Sequence, residues 1–172
     1  MKIVKIVLLA AGAFLLLASV AFFAAVLMIP DERSFTNEVE IDASSEELWG
    51  VVNDRGKYTE WQPNLSRVET IDEMNWIEYP RDSAGPLKFT LGKDDRPRSM
   101  AFEYQMDDVF VGSWQGYATP TNTGVRLETR DRVVTKGWVT KIMVYLFFDV
   151  DRFAEDWNKR LKERVEKLKS KV

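Results

Sequence analysis

The chain has 172 residues and contains neither cysteine nor histidine. Without cysteine there is no disulfide scaffold, no thiolate chemistry and no lipidated anchoring cysteine. Without histidine, Ser-His-Asp and Cys-His catalysis are excluded, and the usual zinc ligand sets cannot be assembled. Any catalysis would have to use Asp, Glu, Lys, Arg or Tyr, or a cofactor, and nothing in the sequence points to a metal or a cofactor. A cationic excess is missing as well. The 24 Lys and Arg face 27 Asp and Glu, for a net charge of −3, and two of the lysines stand at the extreme N-terminus. The remainder has no broad positive field for a phosphate backbone, so nucleic acid is not an expected partner.

What is present first is a long apolar run. Ile6 opens and Ile29 closes 24 residues without a charge. At about 1.5 Å of rise per residue a helix of this length exceeds the roughly 30 Å hydrocarbon layer, so a membrane anchor is expected. One rival is a cleaved secretory signal, given the basic Lys2 and Lys5 and the small residues around Ala18, Ser19 and Ala21. The run continues through Phe22, Phe23, Val26, Leu27 and Met28, beyond the roughly 7–15 residues of a signal core. A buried core helix is a second rival, with only Ser19 and Gly12 interrupting the apolar surface. Lys2 and Lys5 before the span, against Arg33 beside Asp31 and Glu32 after it, favour a cytoplasmic N-terminus with the remainder outside, periplasmic or extracellular. The expected organisation is a short tail at 1–5, a transmembrane helix at 6–29 and one folded domain at 31–172.

Within that domain, residues 33–41 alternate as a strand, with Phe35, Val39 and Ile41 on one face. Ser44 followed by Glu47 is a capping-box pattern that opens a short helix bearing Leu48, Val51 and Val52. A second short helix is expected at 57–61, closed by Pro63. Strand-like runs follow at 66–71, 75–79, 87–91, 99–106, 109–118 and 124–134, separated by short polar turns such as Asp82-Ser83-Ala84-Gly85-Pro86, Asp94-Asp95-Arg96-Pro97 and Asp107-Asp108. They predict an antiparallel meander. Val150, Phe153, Trp157, Leu161, Val165 and Leu168 then recur at helical spacing, a stripe that needs an apolar sheet face to bury itself on. The fold class is α+β.

The succession Ile41-Asp42-Ala43-Ser44-Ser45-Glu46-Glu47-Leu48-Trp49, then Asp54 and Tyr58-Thr59-Glu60-Trp61-Gln62-Pro63, resembles the opening of the START-like superfamily. Its polyketide cyclase/dehydrase and lipid transport branch (SRPBCC) shows I-x-A-P/S-x-E-x-V/L-W…D…Y-P-x-W-x-P. Gly116-Tyr117 through Pro120 and Gly124 to Leu127 is similar to the family's last hairpin, and Asp156-Trp157-Asn158 through Leu168 to its closing helix. The resemblance spans about 35–168. Ser45 and Thr59 depart from the pattern where prolines are usual, and an anchor is not part of the minimal domain.

The resemblance implies a helix-grip fold, a curved sheet of about seven antiparallel strands around a long C-terminal helix. It also implies a cavity between them for a lipid, sterol, polyketide or other apolar molecule. On that reading Phe89, Leu91, Phe102, Tyr104, Met106 and Leu127 face Phe153, Trp157 and Leu161, with Trp61, Tyr58 and Trp114 as further candidates. The same residues at the same spacing also describe a filled core. Residues 138–148 are apolar on nearly every side and too short to span a bilayer. They are either packed core or a membrane-facing lid, with Tyr145, Phe147 and Phe148 among its residues. The basic run Lys159, Arg160, Lys162, Arg164, Lys167, Lys169 and Lys171 reads as a solvated helix face or, more sharply, as a contact for anionic headgroups.

Three function classes follow: a membrane-held binding or transfer module for a hydrophobic small molecule, a cyclase or dehydratase, and a protein-binding scaffold whose partners the sequence leaves open. The enzyme requires an acid and a base that converge. Asp131 with Arg130, and Glu103 with Tyr104, are neighbours on a strand and point to opposite faces. No catalytic residue is therefore assigned, and non-catalytic binding is the leading expectation.

Overall fold

The structure is a computed structural model that describes residues 2–81, 85–147 and 149–170. It opens with helix α1 (Lys2–Met28), long and apolar enough to cross a membrane. Strand β1 (Glu32–Ile41) follows, then α2 (Ser45–Asn53) and a 3-10 helix at Arg55–Glu60. Six strands come next: β2 (Leu65–Thr70), β3 (Asn75–Pro80), β4 (Leu87–Asp95), β5 (Ser99–Met106), β6 (Phe110–Pro120) and β7 (Val125–Thr135). Helices α3 (Trp138–Phe147) and α4 (Val150–Lys169) complete the chain.

The strands form one seven-stranded antiparallel sheet in the order β1-β7-β6-β5-β4-β3-β2. Consecutive strands β2 to β7 pair as a meander, as their short turns predict, and β1 joins at the far edge beside β7. The period-2 pattern of β1 holds throughout: Arg33, Phe35, Asn37, Val39 and Ile41 face inward and the residues between them are exposed. α4 lies on the sheet with Leu161 and Val165 buried against Ile41, Leu48 and Val125. This is the helix-grip, α+β arrangement.

Strand ends shift by one or two residues from the sequence reading in β1, β2, β3, β6 and β7, and two elements differ more distinctly. β4 runs on to Asp95, beyond the expected end at 91 and into the expected turn, because pairing resumes after an irregularity between Leu91 and Asp94, with Asp94 opposite Met100 and Asp95 opposite Ser99. The charged Lys93-Asp94-Asp95 reads as turn chemistry, but its strand face is solvated. The second short helix begins two residues early, at Arg55, and is 3-10. Of the expected lid, Phe148 and the side chain of Phe147 lie outside the described residues, as do Asp82, Ser83 and Ala84 of the 82–86 turn, the side chain of Val150 in the helical stripe and Lys171 of the basic run.

The capping box forms as the sequence implies. The Glu47 N–H donates to Ser44 Oγ at 3.2 Å, and the Ser44 N–H donates to Glu47 Oε2 at 2.7 Å. Ser44→Ala is expected to cost about 1 kcal/mol of stability, read as a shift in the urea midpoint with unchanged denaturant slope.

Candidate functional site

The concave face of the sheet is lined by a continuous set of rings. Trp76 of β3 stacks on Phe89 of β4 at 4.9 Å, and Phe102 of β5 stacks on Trp114 of β6 at 4.6 Å. Phe102 also meets both Trp76 and Phe89 edge-on. From α4, Trp157 reaches Trp114 at 5.6 Å and Trp61 at 5.7 Å, while Trp49 of α2 meets Trp114 at 6.4 Å. Such pairs each add about 0.5–1.5 kcal/mol beyond the area they bury. Tyr58 is fully enclosed, stacked edge-on to Trp61, and its hydroxyl donates to the Val52 carbonyl at 2.5 Å. Tyr58 and Trp61 therefore pin the 3-10 helix to the core.

Glycines in β6 allow this wall to form. The inward residues of that strand are Phe110, Gly112, Trp114, Gly116 and Ala118. A Cβ on Gly116 would stand 2.4 Å from the Trp114 ring, and a Cβ on Gly112 would stand 2.4 Å from the Tyr104 ring. Both rings lie flat over backbone that only glycine leaves bare.

That second clearance creates the most chemically distinctive feature of the molecule. Tyr104 of β5 pairs with Gly112 of β6, and Trp114 of β6 pairs with Asp131 of β7. Lying across Gly112, Tyr104 passes over the intervening strand and brings its hydroxyl beside the inward carboxyl of Asp131. Burial pushes the Asp131 carboxyl up to about 7, against the opposing pull of the Tyr104 hydroxyl. Burial also drives the Tyr104 hydroxyl upward, with Asp131 adding to it, so the phenol stays protonated. Beside them, Asn158 of α4 donates to Thr129 Oγ1 at 2.9 Å, and Asn37 is the β1 register partner of Thr129. Asn158 Oδ1 and Asn37 Nδ2 are both buried without a hydrogen-bond partner among the described residues. One acceptor and one donor thus flank Thr129 unused, an arrangement that costs about 1–3 kcal/mol per group when nothing binds there.

A second carboxyl, the half-buried Glu78 of β3, is also pushed up to about 7 by desolvation, with Trp76 Nε1 donating to it at 3.0 Å and the nearby Arg55 charge opposing the rise. The Arg55 guanidinium lies 3.9 Å from the Trp76 ring centroid and donates to the Glu73 carbonyl. It serves as a cover over the β3 end of the core.

The expectation that no acid and base converge is corrected here. The pairs weighed from sequence do diverge: Arg130 is exposed and bonds Glu128 at 2.7 Å, and Glu103 is exposed. Tyr104 and Asp131, on strands two apart, converge instead. The signal was a glycine on the intervening strand, which becomes informative only when strand register is known.

The ligand-lining candidates separate into three groups. Trp61, Phe89, Phe102, Trp114, Leu127 and Trp157 come together in the packed interior, with Leu127 fully buried. Tyr104 borders the polar cluster. Phe153, at the start of α4, is 43 % exposed, and Tyr145, on α3, is 56 % exposed beside a separate recess. That recess, of about 100 Å³, lies between the end of α1, α3 and the β1–β7 edge. A larger groove of about 350 Å³ lies outside the concave face, between α2 and the C-terminal half of α4. Its cations are paired within the protein: Arg164 with Glu60 at 2.5 Å, Lys57 with Asp54 at 2.8 Å and Lys169 with Asp42 at 2.7 Å. Much of the basic run on α4 therefore ties the helix to the domain, and among the described residues no group of His, Asp and Glu could hold a metal ion.

Comparison with solved structures places this architecture. An aromatase/cyclase from Streptomyces sp. R1128 aligns with a TM-score of 0.65 at 16% identity, over 78% of this chain and 94% of that one. Norcoclaurine synthase from Thalictrum flavum aligns at 0.62 and 14% identity, over 82% and 97%. A START superfamily protein from Mycobacterium smegmatis aligns at 0.54 and 17% identity, over 80% and 98%. At such identities the likeness shows the fold alone. A sequence search of curated proteins finds no match. The profile of one family, however, matches residues 32–172, the whole sheet together with α2, α3 and α4, and the chain accordingly belongs to the polyketide cyclase/dehydrase and lipid transport family.

Proposed function

We propose that the chain is a membrane-held binding or transfer module for an apolar small molecule carrying a polar group, with α1 as anchor at 6–29 and residues 31–172 as the binding domain. The observation that carries this reading is the concave-face cluster in which Tyr104, Asp131 and two unpaired amide atoms, Asn37 Nδ2 and Asn158 Oδ1, adjoin the aromatic wall. Rings supply an apolar contact surface, and the few convergent polar groups fix orientation, the usual composition of a small-molecule site. The basic Lys2 and Lys5 before the span support a cytoplasmic N-terminus with the domain outside. The solved relatives described as aromatase/cyclases support a small-molecule role by analogy of fold.

One observation favours a second reading, a cyclase or dehydratase. A carboxyl near 7 beside a protonated phenol can exchange a proton at neutral pH, as general acid–base chemistry requires. Native mass spectrometry of the full-length chain, released from lipid nanodiscs made with host membrane extract, separates the two. An apolar adduct of the same mass in wild type and Asp131→Asn supports binding. Adduct masses that differ between the two, with the wild type carrying a dehydrated form, support catalysis. A bare protein mass in both overturns both readings in favour of a scaffold.

A further inference from the structure

Helix α3 is built inside out. Its sequence, Trp138–Phe147, carries a single charge, Lys141, and that residue is buried, with Nζ 2.8 Å from Asp31 Oδ1. Large apolar side chains point the other way: Trp138 and Val139 are each 55 % exposed, Met143 53 % and Leu146 62 %. Val139, Met143 and Leu146 are spaced to share one helical face, with Trp138 at its N-terminal end. A soluble domain would place Lys141 outward and this face inward.

The position of the helix says what covers that face. Asp31, which holds Lys141, is the second residue after Ile29, and its carbonyl accepts from the Thr135 N–H at 2.9 Å just before α3 begins. The Phe23 ring of α1 lies 6.5 Å from the Trp138 ring, and Val26 is the one buried residue of α1. Ile29 and Pro30 line a recess together with Val144 and Tyr145 of α3. α3 is thereby clamped beside the last two turns of α1, and its exposed apolar face continues the exposed apolar surface of Phe22, Leu27 and Met28.

Resting on the reading of α1 as a membrane anchor, we infer that α3 is an interfacial helix that lies in the plane of the same bilayer and fixes the domain flat against it. At about 1.5 Å per residue it reaches only half the hydrocarbon thickness, so it lies along the surface. Trp138 and Tyr145 supply amphipathic rings suited to headgroup depth, and the exposed Lys136 stands two residues before Trp138. The membrane is thus met at two points, one spanning and one lateral. The domain cannot swivel on its linker, and the β1–β7 edge that carries Asn37, Thr129 and Asp131 is held at a constant height above the lipid.

The chain offers its own probe. Of its six tryptophans, Trp49, Trp61, Trp76 and Trp114 are buried and Trp157 is half-buried, which leaves Trp138 as the exposed one. The full-length protein is placed in phosphatidylcholine nanodiscs with or without acyl-chain bromine, and co-elution with the disc is checked first. Brominated lipid is expected to quench an emission component in wild type that Trp138→Phe lacks. Because the chain has no cysteine, Met143→Cys can carry a nitroxide, which is expected to collide more with dissolved oxygen than with a water-soluble nickel complex. Equal emission in both lipids, or a water-exposed nitroxide, in disc-bound protein overturns the inference while leaving the anchor intact. Spin–spin coupling between copies overturns it by assigning the face to self-association. Failure to co-elute removes the anchor reading and this inference together.

Discussion

Raising the pH from about 4 to about 7 is expected to lower the stability of the folded domain, the reverse of the usual carboxylate effect. Asp131 and Glu78 have ordinary values of 3.8 and 4.5 and are both pushed up to about 7 by burial. Between those limits the native state holds protons that the unfolded chain has released. Stability then falls as pH rises, because its slope follows the excess of protons bound in the unfolded state, which is here negative. A displacement of this size corresponds to roughly 3–4 kcal/mol per group at full effect, and water reaching these partly exposed side chains reduces it to about 1–3 kcal/mol. Below pH 4 the sign reverses. Glu47, Asp72 and Asp94 are held below their ordinary values by hydrogen bonds from Ser44, Asn75 and Arg96, so their stabilisation is lost on acidification. A maximum near pH 4–5 follows. Urea unfolding of the full chain in detergent, followed by tryptophan emission, checks it. Asp131→Asn and Glu78→Gln are each expected to remove part of the decline above pH 5. An unchanged slope in both variants would show that neither carboxyl titrates abnormally.

Trp114→Ala is expected to destabilise the domain by about 3–5 kcal/mol, the largest effect of any single truncation described here. Trp114 joins the sheet to both helices packed on it, stacking on Phe102 of β5 and meeting Trp157 of α4 and Trp49 of α2. It is 5 % exposed and lies over Gly116, which offers no side chain to collapse into the space left behind. Truncation therefore leaves a cavity and unlinks helix from sheet at once. Trp114→Phe keeps the stacking on Phe102 and is expected to cost less than half as much. A loss below about 1 kcal/mol for Trp114→Ala would mean that the aromatic wall repacks freely, contrary to the packing described.

Features that depend on nearest neighbours along the chain were legible from residue order. The apolar run of α1, the Ser44–Glu47 box, the alternation of β1 and the stripe from Trp157 through Leu161 to Val165 are each governed by a local period or a three-residue reach, so composition at fixed spacing suffices, whereas Phe153 and Leu168, expected on the same stripe, are exposed where the sheet does not reach them. The motifs around Ile41 to Pro63 placed the chain in its family for the same reason, since they record turns and packing positions of one segment. Alternation along single strands likewise puts Phe89 with Leu91 on the buried face of β4, while Tyr117 of β6 lies on the outer face with its hydroxyl donating to Gln115. Tyr104 and Asp131 are 27 positions apart in the sequence, and their meeting requires the β5–β6–β7 register together with the bare backbone of Gly112. Likewise, α3 was recognisable as apolar on nearly every side, but whether its charge or its rings face outward depends on Asp31 reaching Lys141 from 110 positions away. Local periodicity therefore determined which elements form and which face of each is apolar. Tertiary structure alone decided which polar groups meet and which apolar face stays uncovered, because both depend on register and on contacts between segments distant in the chain.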